Sequence, residues 1–429
     1  MASNRELPPA ATSPGAPGAP VAPQTVQPVV NITQQQQPAT GSLPIIDLPE
    51  DIKNCAFYHG RIPRVEAELS LRTAGDYLLR KAEGIEGIYL VVSARNSMTY
   101  FHFPVSQEKE TSKFYLDSIK EASVLDLLNA HVTQAIPLSK TSGCLITRAV
   151  PRPQWLVKHS SLIMYKKLGA GAFGEVFLAR MEDPTSEIML DCAVKSMKSE
   201  ATSEARLRFM KESRMMRKSY QHKNVVMILG IAVMHNPLLI IMELCPNGSL
   251  VSYLRKNKGT TTIQEKLRFV TEAASGLAYL EAMGCVHRDV AARNCLLSAT
   301  NEIKISDFGL ADDRCLMIDN TLEKMPIKWL APETMQEKIY SLKSDIWAFG
   351  VLCWETYADG EEPYPGLTPI QTRAKIVVQD YRMKMADDTQ PEVVKIVEQC
   401  WEKNADKRGT MREHFASLTK LVTPPVAIN

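Results

Sequence analysis

His287-Arg-Asp-Val-Ala-Ala-Arg-Asn294 is the stretch whose reading decides the architecture of this chain. A carboxylate and an amide five residues apart on one short loop can divide two tasks. Asp289 can accept or orient the proton of a hydroxyl, and Asn294 can reach a magnesium ion. Downstream, Ile303-Lys-Ile305 reads as a short strand that delivers Asp307-Phe-Gly309, whose carboxylate is a second hard oxygen donor. Ala331-Pro-Glu333 closes the segment. Any one of these tripeptides could arise by chance, but the ordered set almost could not.

Upstream, Leu168-Gly169-Ala170-Gly171-Ala172-Phe173-Gly174-Glu175-Val176 is a glycine-rich turn. Alone it is compatible with a dinucleotide-binding turn or a plain tight turn. The continuation Val176-Phe177-Leu178 is strand-like, whereas a dinucleotide fold needs a helix there. Two strands joined by a Gly-rich flap can close over nucleotide phosphates, because side chains at Gly169, Gly171 and Gly174 would obstruct the backbone. Ala193-Val-Lys195 follows on an alternating strand, and a helical segment carries Glu212. The expected pair is Lys195 on the α/β-phosphates held by Glu212, with Glu204 as the competing partner nearby in sequence.

On these motifs, residues 162–421 resemble a protein kinase catalytic domain, and specifically a tyrosine kinase. Ala291 stands where serine/threonine kinases usually carry a lysine, Arg293 follows, and Pro326-Ile-Lys-Trp-Leu-Ala-Pro-Glu333 matches the substrate platform. The resemblance implies a bilobal fold with a β-rich N-lobe and a helical C-lobe, using ATP and Mg²⁺. It implies Lys195, Glu212, Asp289 and Arg293 as catalytic residues, and Asn294 and Asp307 as metal ligands. It also implies Leu168 to Val176, Ala193 and Lys195 around the nucleotide, Met242 as gatekeeper, and Glu243 to Cys245 as the adenine hinge. Asp345 would brace the catalytic loop, and Arg408 would pair with Glu333.

A second module precedes this one. Phe57-Tyr-His-Gly-Arg-Ile-Pro-Arg64, Gly75-Asp-Tyr-Leu-Leu-Arg80 and His102-Phe103 make residues 57–147 similar to an SH2 domain, a central antiparallel sheet flanked by two helices. Arg80 ends an apolar strand, so its planar fork would project from a buried base toward a phosphate. Arg64 is the expected second arginine and His102 a pocket wall. Lys81-Ala82-Glu83-Gly84 lacks the hydroxyl residue usual in the phosphate loop, and Pro104 replaces a frequent lysine. Phosphotyrosine binding is still expected, with two outcomes open: reduced affinity, or compensation by backbone N–H groups and Lys81. Helices are predicted at residues 66–72 and 123–131.

The whole is an α+β multidomain chain: a Pro/Gln-rich disordered tail at residues 1–50, the SH2 module, a linker at 148–161, the catalytic domain and a tail at 422–429. In the first segment, Ala16-Pro-Gly-Ala-Pro20 and Gln34 to Gln37 offer little apolar surface to offset ordering entropy. The order SH2 then kinase resembles the Fes/Fer group of non-receptor tyrosine kinases; its N-terminal F-BAR domain is expected to be missing, so no membrane role is carried over.

A net charge of +2 gives no sign of a nucleic-acid partner. Nine scattered cysteines without a C-x-x-C pair argue for reduced thiols in the cytoplasm. Residues 225–242 are too short and broken to span a bilayer and read as two buried strands. Expected partners are protein tyrosine substrates and phosphotyrosine-containing proteins, with receptors as the route to the plasma membrane. The competing function is an idle kinase fold serving as an SH2 adaptor; Lys195, Asp289, Asn294 and Asp307 are all present, which argues against it. No tyrosine lies between Asp307 and Glu333, and Asp319 falls where the family holds its phosphorylated one. Two readings of Asp319 stand side by side, a partial and permanent substitute for the phosphate or a solvated loop acid. The short linker further suggests that the SH2 module packs on the small lobe and favours the active placement of Glu212.

Overall fold

The computed structural model describes residues 48–84, 87–171, 174–182, 188–197, 203–218, 221–318 and 326–422. The expected disordered tail lies outside them apart from its end: Leu48 is buried and helix α1 (Glu50–Asn54) buries Ile52, so the packed chain begins before residue 51. Short apolar runs along the first module lie in strands β1 (Asp76–Gly84), β2 (Gly87–Arg95) and β3 (Tyr100–Pro104), paired antiparallel. A small sheet follows, of β4 (Ser106–Gln107), β5 (Phe114–Leu116) and β6 (Ile119–Glu121).

Helices α2 (Arg64–Ser70) and α3 (Val124–Thr133) accompany these sheets. Pro63 starts α2 two residues ahead of the predicted Glu66. The helix ends at Ser70 because the N–H groups of Arg72 and Thr73 are taken by Asp76 Oδ2, each at 2.8 Å. Ser123 caps α3 by accepting from the Asp126 N–H at 3.0 Å.

The expected linker is ordered and shared. β7 (Arg148–Ala149) joins the main sheet parallel to β1, giving the order β3-β2-β1-β7. A few residues on, Trp155 and Val157 exchange backbone bonds with Ile231, each 2.8 Å long.

The second module opens with β8 (Leu162–Gly171), β9 (Gly174–Glu182) and β10 (Met189–Met197), followed by helix α4 (Ser203–Lys218). β11 (Ile228–Ala232) and β12 (Leu239–Glu243) complete an antiparallel sheet of order β11-β12-β10-β9-β8. Beyond it the chain is mainly helical: α5 (Leu250–Lys256), α6 (Ile263–Ala282), α7 (Pro332–Glu337), α8 (Leu342–Tyr357), α9 (Pro369–Gln379), α10 (Pro391–Cys400) and α11 (Met411–Val422). Two small two-stranded sheets interrupt the helices. One is β13 (Cys295–Leu297) with β14 (Ile303–Ile305), and the other β15 (Leu316–Ile318) with β16 (Ile339–Ser341). α8 is buried on every side from Ser344 to Tyr357, so it forms the post on which the larger lobe is built. Arg408 is fully buried and forks onto Glu333 at 2.7 and 2.8 Å.

Both faces of β1 are covered, which sets the two modules against each other. Leu79 belongs to the core of the first module, while Leu78 joins Ile62, Ala67 and Leu71 in one buried cluster with Phe209, Met210 and Met215 of α4. At the seam the Arg61 N–H donates to the Val233 carbonyl at 2.7 Å. Gly60 makes this approach possible: it sits at φ +72°, and a Cβ would lie 2.6 Å from the Val233 oxygen. Arg214 Nε of α4 donates to Glu66 Oε1 of α2 at 2.5 Å. Among the described residues no helix is long and apolar enough to cross a membrane.

Candidate functional site

The site lies where β10, α4 and two loops of the larger lobe converge. Lys195, opposite Val176 on β9 and Ile240 on β12, extends Nζ to Glu212 Oε1 at 2.6 Å and Asp307 Oδ1 at 3.2 Å. Burial opposes the charge on this lysine, but the carboxylates of Glu212 and Asp307 hold it above its ordinary range. Burial likewise opposes charge on Asp307, and Lys195 outweighs it, leaving that carboxyl below its usual range. Lys195 thus pairs with Glu212; the side chain of Glu204 lies outside the described residues.

The loop from His287 is braced from beneath. Asp345 of α8 accepts the His287 N–H on Oδ2 at 2.6 Å and the Arg288 N–H on Oδ1 at 2.9 Å. Arg288 (φ +69°) and Asp307 (φ +62°) both adopt left-handed backbone that non-glycine residues rarely use, a strain the surroundings must hold. Asp289 Oδ1 accepts from Arg293, and Asn294 Nδ2 donates to Asp289 Oδ2 at 2.6 Å and to its carbonyl at 2.7 Å. With both amide hydrogens committed to Asp289, the Asn294 amide oxygen is the atom left to bind a cation. Ser306, next to Asp307, donates its N–H and its hydroxyl to the Asn294 carbonyl, each at 2.9 Å, so Asn294 and Asp307 start from neighbouring backbone. Among the described residues no cluster of three or more His, Cys, Asp or Glu could hold a metal. One amide and one carboxylate suit a hard cation whose other ligands are phosphate and water.

Around the predicted nucleotide site, Ala193 pairs with Met242 in the sheet, and the Glu243 N–H donates to the Met227 carbonyl at 2.9 Å. The Glu243 carboxylate is engaged by the Met227 N–H at 2.7 Å and by Lys304 at 3.0 Å. Burial pushes the Cys245 thiol up to about 12, so it is no thiolate nucleophile. Leu168, Gly169 and Ala170 run along β8, and exposed Glu175 pairs with Lys167 at 2.6 Å. Ala172 and Phe173 lie outside the described residues, as does Asp319. At Gly174 a Cβ would sit 2.1 Å from the Ser196 carbonyl, so β10 itself leaves room only for glycine there; Gly169 faces open space.

In the first module Arg80 is buried on β1, and a hydrogen-bond chain leads away from it. Its Nε donates to Ser93 Oγ at 2.9 Å, Ser93 Oγ meets His102 Nδ1 at 2.9 Å, and His102 Nε2 meets Glu68 Oε1 at 3.0 Å. A carboxylate only accepts, so His102 carries its proton on Nε2, and Ser93 donates to Nδ1. Burial, against the pull of Glu68, lowers His102 to about 4 and Arg80 to about 10. Arg64 joins the group through Glu68 Oε1 at 2.7 Å. The three predicted residues Arg64, Arg80 and His102 are thus gathered around an acid, Glu68, that sequence reading did not single out.

A strand lysine tied to a helix carboxylate above a braced Asp–Asn loop is the working arrangement of a protein kinase. Residues 162–418 match the family model described as protein tyrosine and serine/threonine kinase, and residues 57–131 match the SH2 domain model. Over 366 residues the chain is 54% identical to Fer-related kinase 1 of Caenorhabditis elegans, covering 84% of this chain and 92% of that protein. It is 34% identical over 402 residues to tyrosine-protein kinase Fer of Homo sapiens, covering 92% of this chain and 47% of Fer. Similarity to the transforming protein Fps of avian sarcoma virus (strain PRCII) is 33% over 85% of this chain and 68% of that protein. The chain belongs to the SH2-containing protein-tyrosine kinases, among the relatives of Fer and Fps.

Glu355 of α8 is a further site residue without a sequence signal of its own. Its Oε2 accepts both the Ala292 N–H at 3.0 Å and Trp329 Nε1 at 2.9 Å, and the Arg293 guanidinium stacks 4.4 Å over the Trp329 ring. It therefore ties the catalytic loop to the substrate platform. Burial pushes its carboxyl up to about 7, against Trp329 and the Ala292 N–H. A proton held more tightly in the folded chain adds stability at low pH, and that contribution fades as pH rises from about 4.5 to about 7. Glu355→Gln keeps one oxygen for both bonds, so urea unfolding should show it gaining stability relative to wild type across that window. Asp345→Asn cannot replace two accepting oxygens and should lower activity roughly tenfold or more by leaving a buried N–H unpaired.

Proposed function

We propose that this kinase transfers the ATP γ-phosphate to protein tyrosines in the cytoplasm, directed by phosphotyrosine binding at Arg80. The observation that carries the reading is the assembled set Lys195–Glu212–Asp307 above Asp289–Arg293–Asn294. Bound ATP with Mg²⁺ supplies the phosphoryl group and neutralises its charge. Lys195, held by Glu212, binds and orients the phosphates. Asn294 and Asp307 would present the oxygens that hold the cation. Asp289, fixed by Arg293 and Asn294, orients the substrate hydroxyl and takes its proton.

Trp329 and Pro326 form a surface against which a phenol ring lies, since a tyrosine oxygen stands further from its backbone than a serine hydroxyl. No observation favours the idle-adaptor reading. The test is transfer from Mg²⁺-ATP to a Glu-Tyr copolymer by the purified chain. Asp289→Asn should lower the rate by roughly 10²–10⁴-fold; equal rates for the two proteins would remove Asp289 from its role.

The phosphotyrosine site is held in check by Glu68, which occupies Arg64 and His102 and repels an incoming dianion. With Ala82 offering no hydroxyl, this acid is a second reason for weak binding. Removing its charge by Glu68→Gln should tighten a phosphotyrosine peptide by about threefold to tenfold in calorimetry, the scale of a partly exposed charge contact. Unchanged or weaker binding would contradict this role.

Domain coupling runs through α4, where Arg214 meets Glu66 two residues from Glu212. Packing of α2 on this helix favours the Lys195–Glu212 pair. Glu66→Ala should lower turnover about fivefold while phosphotyrosine binding stays unchanged. Wild-type turnover in this variant would dismiss the coupling.

A further inference from the structure

The segment from Asp307 to Glu333 contains no tyrosine, so no phosphotyrosine within it can secure α4. Asp312, with its side chain only 2% exposed, lies in this segment. A carboxylate withdrawn from water persists only where cations and hydrogen bonds repay its desolvation. Here Lys211 Nζ of α4 binds Oδ2, and Arg314 contributes Nε to Oδ1 at 2.9 Å, Nη2 to Oδ2 at 3.0 Å and its N–H to Oδ1 at 3.0 Å. Burial opposes the charge, but Arg314 and Lys211 hold the carboxyl well below its ordinary range. The Asp312 backbone is tied as well. It exchanges antiparallel hydrogen bonds of 2.9 and 3.0 Å with Val286, the residue immediately before His287.

We propose that Asp312 is a positioning residue which, by pairing with Lys211, fixes α4 against the catalytic loop without any phosphorylation. Lys211 and Glu212 are neighbours on the helix, so their side chains leave its axis about 100° apart. One contact would leave the helix free to roll about that contact. Two contacts on different azimuths, Glu212 to Lys195 and Lys211 to Asp312, set both its rotation and its depth. Their polarities are opposed: α4 offers an anion to the sheet and a cation to the activation segment. A roll of the helix about either pair breaks the other, so only one orientation keeps both. Lys211 is 43% exposed, so the pair adds little to global stability, and its effect is felt in the placement of Glu212. Asp319 lies outside the described residues, and Asp312 is assigned its role on its own contacts.

The inference rests on the kinase reading, and the experiment separates the two. Full-length wild type, Asp312→Asn, Lys211→Met, Lys211→Arg and the double Asp312→Asn/Lys211→Met are treated with phosphatase and assayed on a tyrosine peptide. The wild type should keep its full rate after treatment. Asp312→Asn and Lys211→Met should each lose roughly tenfold in kcat with little change in peptide KM, and Lys211→Arg should retain most activity. The double variant should fall no further than Asp312→Asn, and amide exchange over residues 203–218 should quicken in each impaired variant. Should Asp312→Asn fail to fold, Lys211→Met carries the test, since its side chain is half exposed.

Wild-type kcat in Lys211→Met, losses that multiply in the double, or loss of wild-type activity on phosphatase treatment would each overturn the proposal. A wild type with no transfer before treatment would remove the kinase reading together with it.

Discussion

Lys195 is a cation withdrawn from water, and it stays charged because Glu212 and Asp307 approach it from two different parts of the chain. Neither acid belongs to the sheet that carries the lysine. Glu212 arrives on α4, and Asp307 arrives on a loop that is itself in strained backbone. Separating a buried pair strands a charge, which costs several kcal/mol, roughly 3–5 by analogy with other buried pairs. The geometry of this one contact therefore constrains the rotation of α4, the conformation at Asp307 and the distance between the lobes. Much of the remaining architecture can be understood as support for it.

The support is layered. α8, buried throughout, sends Asp345 to the backbone of His287 and Arg288 and Glu355 to Ala292 and Trp329. Carboxylates so deeply placed are destabilising in themselves, as their raised proton affinities indicate. They are tolerated because each accepts two hydrogen bonds: Asp345 from the backbone of His287 and of Arg288, which is in left-handed conformation, and Glu355 from the Ala292 N–H and the Trp329 indole. α4 is anchored at neighbouring positions along its length: Lys211 to the activation segment, Glu212 to the sheet and Arg214 to the SH2 module. An element held at three points in three directions has little freedom to swing, and a rigid catalytic frame is what positioning chemistry requires.

How much of this could be read from sequence depended on whether chemistry is encoded locally. Lys195, Asp289, Asn294 and Asp307 announce themselves because each sits in a short motif with fixed neighbours. Arg80 and His102 were legible because an apolar strand and a dipeptide frame them. Glu212 needed only a helical spacing and a lysine awaiting a partner. Glu66, Glu68, Asp312 and Glu355 could not be recognised in this way. Each is an acid on a helix or loop, and such acids are usually solvated. Their partners lie far along the chain, as with Glu66 and Arg214, or depend on a side-chain direction that the pattern does not fix. At Gly174 the sequence marks a position intolerant of a side chain, and the fold adds an obstacle that the motif does not reveal, the Ser196 carbonyl. Tail and helix boundaries shifted by a few residues where Leu48, Pro63 and Asp76 made local contacts that composition does not reveal.

The catalytic frame is already assembled in a chain whose activation segment has no tyrosine to phosphorylate. The most direct measurement is the early time course of phosphate transfer by phosphatase-treated, full-length protein mixed with Mg²⁺-ATP and a tyrosine peptide. A preassembled frame predicts product that rises linearly from the first turnover, with a slope unchanged by earlier incubation with ATP. A lag that disappears after such incubation would show that the frame must first be built by phosphorylation, and would contradict the account.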